Sequence, residues 1–108
     1  MIRFKKGVKL RGVRGAAFLI LAKAEPIWDK RLNKQDFIGV DLVVTSARDG
    51  KHMKKSLHYM GLALDLRIRD FAKHEAKIAA KFLQRRLGRH YDVVLESDHI
   101  HVEYDPKE

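Results

Sequence analysis

The chain of 108 residues contains no cysteine, which excludes a disulfide framework, thiol catalysis, Cys-ligated zinc and iron–sulfur clusters. Any metal must therefore be held by His, Asp or Glu. Long hydrophobic runs are also missing. The longest, Ala16–Ala22, falls far short of the roughly 20 apolar residues needed to span a bilayer, so stable membrane insertion is not expected. Acidic residues are absent from the start of the chain: Arg3, Lys5, Lys6, Lys9, Arg11 and Arg14 stand with no Asp or Glu before position 15. These six cations carry most of the net charge of +9, because the other 17 basic and 14 acidic residues leave only +3. Residues 1–12 read as a basic N-terminal arm suited to DNA phosphates, anionic lipid or anionic polymers, with a merely solvated arm as the plain alternative. None of the usual nucleic-acid-binding motifs accompanies it, so nucleic acid is not expected as a partner.

The same start loosely follows a secretory-signal pattern, with Ala16–Ala22 after the basic residues and then Ala22-Lys23-Ala24. Lys23 falls inside the small-residue cleavage site that such a signal requires, and the apolar stretch is minimal. Retention of the segment is the expectation.

With 45% hydrophobic and 34% charged residues, the composition suits one compact domain over residues 1–108. A domain of this size buries roughly two-thirds of its unfolded surface, enough to fold alone, and a monomer is expected. No internal repeat or linker divides it. Val13 to about Leu32 is rich in Ala, Leu and Ile and predicts a helix, kinked or divided at Pro26. Leu42–Ser46 is a β-branched run entering a turn at Asp49-Gly50. Leu62, Leu64, Leu66 and Ile68 alternate with Ala63, Asp65, Arg67 and Arg69, the period of a strand with one core face and with Asp65 pointing away from it. From Asp70 as a plausible N-cap, Phe71, Ile78, Ala79, Phe82, Leu83 and Leu87 recur at helical spacing until Gly88. Tyr91–Leu95 and Ile100–Tyr104 predict two further strands. The expected fold is α+β, two helices packed on a small antiparallel sheet.

Chemistry-bearing residues gather in two segments, Ser46 to Asp65 and Glu96 to Glu103. In the first, His58 and Asp65 bracket Gly61. In the second, His99 and His101 share one face of a strand. Two imidazoles and a carboxylate around an open position describe a catalytic zinc site, which takes three protein ligands and keeps a fourth place for water. Spacing alone leaves open a plain polar or surface role for each of these residues.

The runs Thr45-Ser46-Ala47-Arg48-Asp49-Gly50-Lys51-His52, Ser56-x-His58-x-x-Gly61-x-Ala63-x-Asp65 and Asp98-His99-Ile100-His101 together resemble the D-Ala-D-Ala metallopeptidase family. That family is related in fold to the Hedgehog signalling domain. It includes zinc D,D-carboxypeptidases, D,D-dipeptidases and the L-alanyl-D-glutamate endopeptidases used as bacteriophage endolysins. The likeness covers about Leu42 to Tyr104, and residues 1–12 have no counterpart in it. It implies Zn²⁺ held by His58, Asp65 and His101, with Asp98 as the base that takes a proton from the metal-bound water. Because positions 98 and 101 face opposite ways on a straight strand, this role requires a bend near Asp98.

By the same resemblance, Arg48 stabilises the anionic intermediate or binds the substrate carbonyl. His99 assists proton transfer or supports the site, Ser56 orients the ligand loop or touches substrate, and His52 lines the cleft. Glu96 is a competing carboxylate for the base. The implied activity is a zinc peptidase acting on peptidoglycan peptides, either an endolysin-like L-alanyl-D-glutamate endopeptidase or a D,D-carboxypeptidase. The expected course is synthesis in the cytoplasm and release to the cell wall, with secretion as the alternative. The rival function is a non-catalytic zinc module that binds cell-wall fragments or a protein.

Overall fold

Residues 17, 20, 21, 24, 27 and 28 recur at helical spacing. In the structure, a computed structural model that describes residues 1–32, 41–47 and 61–107, they form the buried stripe of helix α1 (Gly15–Leu32). Pro26 lies inside this helix without dividing it. A mid-helix proline removes one hydrogen bond and costs about 3 kcal/mol. The stripe continues across it, with Ala24 before and Ile27 and Trp28 after, all buried. Burying Ile27 and Trp28 is worth roughly 1.5–3 kcal/mol each, so packing outweighs the local penalty.

The second helix, α2 (Lys73–Leu87), buries Ala76, Ala79, Ala80 and Leu83 and stops at Gly88, whose φ of 86° is open to glycine. It begins later than its sequence suggests. Ala72 is the N-cap and offers no side-chain bond, while Asp70 is spent on Arg67 Nη2 at 3.1 Å. Arg31, in the last turn of α1, meets Glu75, in the first turn of α2, at 2.9 Å. Each charge also opposes the macrodipole of its own helix end.

Strands β1 (Ile2–Phe4), β2 (Leu42–Ser46), β3 (Ala63–Arg67), β4 (Tyr91–Leu95) and β5 (His99–Tyr104) form one sheet in the order β1-β2-β3-β5-β4. The fold is α+β, as expected, but the sheet is mixed rather than antiparallel throughout. The pairs β2–β3, β3–β5 and β5–β4 are antiparallel, whereas β1 runs parallel to β2, with Ile2 opposite Leu42. Parallel neighbours need a crossover, and α1 lies between β1 and β2 in the chain. The basic arm is therefore partly built into the domain. Lys5 N bonds Val44 O at 2.8 Å, and Val8, Leu10 and Val13 pack against the core. No helix among the described residues is long and apolar enough to cross a membrane.

One face of the sheet, with Leu42, Val44, Leu64, Leu66, Ile100 and Val102, packs with α1 and α2 in a single core. The alternate residues, Val43, Thr45, Asp65, Arg67, His99, His101 and Glu103, share the opposite face. Gln84 ties α2 to the edge strand β4. Its amide donates to Tyr91 O at 2.6 Å and accepts from Val93 N at 3.0 Å.

Gly61 joins the segment carrying His58 to β3. Its φ is +75°, its carbonyl accepts from Arg14 N at 2.8 Å, and a Cβ there would overlap the Gly12 carbonyl oxygen. Gly61→Ala is expected to destabilise the domain by about 2–5 kcal/mol, combining left-handed strain with a backbone clash. Gly7→Ala, at φ +93° with no atom within 4 Å of the added carbon, should cost only the strain, about 1 kcal/mol. Urea midpoints at unchanged m-value measure both, and equal losses would show that the Gly12 contact yields freely.

Candidate functional site

The site is assembled by register. Along β2 and β3, Val44 faces Leu66 and Ser46 faces Asp65, so β2 carries one extra residue at Thr45. Such a bulge twists a strand and re-aims its end, here just before Arg48. Thr45 Oγ1 donates to Asp65 O at 3.4 Å. Between β3 and β5, Asp65 pairs with His101 and Arg67 with His99. Residues 36 positions apart in sequence thus stand side by side, and His101 Nδ1 lies 2.9 Å from Asp65 Oδ1.

Asp65 is the one buried charged residue among those described, at 9% exposure. A buried carboxylate needs partners. It has His101, and His99 Nε2 lies 3.6 Å from the same oxygen. The far side of His101 is also engaged, with Nε2 2.7 Å from Glu103 Oε1. Glu103 was missed as a site residue, although the alternation His99-x-His101-x-Glu103 puts all three on one strand face and was sufficient to find it.

Asp98 lies in the tight turn between β4 and β5, which Glu96 N closes onto His99 O at 2.8 Å. The bend that its role requires is therefore present. Its side chain is 85% exposed and holds His99, with Nδ1 2.6 Å from Asp98 Oδ1. Asp98 reaches Asp65 only by way of His99. Glu96, the rival carboxylate, is an exposed residue at the same turn. Arg48, His52, Ser56 and His58 lie outside the described residues.

Asp65 and His101 are two donors of the kinds that zinc takes. Their facing atoms, 2.9 Å apart, are near the roughly 3.3 Å edge of a tetrahedral site with ~2.0 Å bonds. In the structure, both ring nitrogens of His101 face carboxylates, and both can donate only from the imidazolium. A metal at one nitrogen displaces that proton and leaves the opposite carboxylate to hold the ring.

Among the described residues, the group of three that could hold a metal ion is Asp92, Glu103 and Asp105, with ligand atoms within 4.8 Å of one another. Its oxygen donors suit hard cations such as Mg²⁺ or Ca²⁺ better than zinc. Lys107 Nζ already lies 3.0 Å from Asp92 and 3.3 Å from Asp105, which weakens any pull on a cation.

The hydrogen bond to Asp65 holds the His101 pKa above the usual histidine value. Burial opposes it, and the Glu103 hydrogen bond adds to it. In metal-free protein, the folded state therefore favours the imidazolium. The stabilisation is complete below the unfolded value of about 6.5 and is lost as pH rises through the raised folded-state value. Thermal midpoints in chelator should fall from pH 6 to pH 8.5 more steeply for wild type than for His101→Gln. Parallel curves would show that the imidazolium adds no stability.

No protein-family model matches this chain, and no curated protein matches it.

Proposed function

We propose that this chain is a zinc-dependent peptidase of cell-wall peptides, with a fold of the Hedgehog and D,D-peptidase type. It cuts peptidoglycan stem peptides as an L-alanyl-D-glutamate endopeptidase or as a D,D-carboxypeptidase. The observation that carries the reading is the direct Asp65–His101 contact on the sheet face turned away from the helices. A carboxylate and an imidazole brought face to face from two strands, with His99 and Asp98 beside them, are the described part of the ligand and base set that the sequence motif implies.

The residues divide the work. Asp65 and His101 hold the ion together with His58, and Glu103 fixes the His101 ring from its other nitrogen. When bound, zinc supplies Lewis acidity, polarising a carbonyl and lowering the pKa of its water to about 7. Asp98 takes the proton, directly or through His99. Arg48 steadies the charge that grows on the carbonyl oxygen.

The exposed position of Asp98 favours a second reading, a non-catalytic zinc module that binds wall fragments or a protein. Mass spectrometry of purified peptidoglycan fragments after incubation with the protein separates the two. New peptide termini are expected, and they identify the bond. Intact fragments in the presence of zinc-loaded protein would select the binding module.

A further inference from the structure

On the same sheet face as the Asp65–His101 pair lies a cleft of about 470 Å³ lined by Arg3, Lys5, Lys6, Thr45, Arg67 and Arg69 among others. Five of its residues are cations and none is an acid. Arg3 is matched by Asp41 at 3.5 Å and Arg67 by Asp70 at 3.1 Å. Lys5, Lys6 and Arg69 form no ion pair among the described residues, and all three are exposed. The charge is thus concentrated in a concave surface, where field lines converge and an anion is attracted more strongly than on a convex one.

The position of the cleft is as informative as its charge. Strand β3 runs from Asp65 through Arg67 towards Arg69, and Arg67 stands opposite His99. Two residues along a strand span about 7 Å, so the cleft begins one short peptide step from the Asp65–His101 pair.

We infer that this cleft is a subsite for the acidic part of a peptide bearing two or more carboxylates, bound so that a peptide bond about two residues away lies at Asp65–His101. The inference rests on the peptidase reading for the placing of that bond. Three unmatched cations call for a multiply charged ligand. A long polyphosphate chain fits poorly, because Asp65, two residues before Arg67 on β3, repels an anion that continues past the cleft, while a neutral peptide bond passes.

The probes are fluorescein-labelled triglutamate, its triglutamine analogue and a labelled DNA duplex, titrated by fluorescence anisotropy at two salt concentrations. Triglutamate should bind and triglutamine should not. A Lys5→Gln, Arg69→Gln double variant should weaken triglutamate binding roughly tenfold, the scale of two solvent-exposed ion pairs. A Lys77→Gln, Arg86→Gln variant of equal net charge, altered on the exposed face of α2, should bind as wild type does.

Equal weakening by the two double variants, or equal binding of triglutamate and triglutamine, would overturn the subsite. So would DNA binding that the cleft variant abolishes while triglutamate fails to bind. Peptidoglycan digestion by the same proteins keeps the two proposals apart. Triglutamate selectivity without hydrolysis leaves the cleft standing and removes the peptidase, whereas hydrolysis with unchanged binding in the cleft variant does the reverse.

Discussion

Asp98→Asn is expected to keep the fold and the bound metal while kcat falls by about 10²–10⁴-fold, the usual contribution of a general base. The fold should survive because this side chain is 85% exposed and its described contact is His99. The metal should survive because Asp98 does not touch Asp65 or His101 directly. Its 2.6 Å contact with His99 leaves two routes for the proton, and His99→Ala tells them apart. If Asp98 acts through His99, the two variants lose alike and their combination loses no more, as groups acting as a unit do. If Asp98 acts alone, His99→Ala loses much less. Should Glu96→Gln be inactive while Asp98→Asn keeps full activity, the base is Glu96.

The second large effect concerns the metal. Purified wild type should carry one zinc per chain, and a His58→Ala, His101→Ala variant should carry none, read by elemental analysis. Equal metal in both would overturn the ligand assignment. Glu103→Gln should weaken zinc affinity by about 10–100-fold without abolishing it, because Glu103 holds the His101 ring at 2.7 Å and a carboxylate in that place raises the basicity of the ring. Affinity should also drop as pH falls, since zinc competes with a proton that the Asp65 and Glu103 hydrogen bonds favour. An affinity that is flat with pH would place zinc elsewhere, and the Asp92, Glu103 and Asp105 group is then the site to mutate.

What the sequence determined by itself is the local part of the molecule. The alternation of Leu64 and Leu66 with Asp65 and Arg67, and the stripe of Ala76, Ala79 and Leu83 ending at Gly88, were legible because one face of each element packs into the shared apolar core. Burial of one face writes a period of two or 3.6 into the chain itself. Ile2–Phe4 left no such mark: three residues among cations are too few to show a period, and their strand exists because Leu42, Val43 and Val44 offer an open edge. Division of the helix at Pro26 and an N-cap at Asp70 failed for a related reason, since both are local signals, and the burial of Trp28 and the pull of Arg67 outweighed them.

The site divides in the same way. Asp65 and the His99-x-His101 pair could be named from residue type and spacing, yet only the β3–β5 register put Asp65 against His101 and Arg67 against His99. The parallel pairing of β1 with β2 turned the basic arm into one wall of a cleft on the same face. Pairing across a sheet depends on which strands become neighbours, and that choice is made by the common core of Leu64, Leu66, Ile100 and Val102, through contacts distant in sequence that no local pattern records.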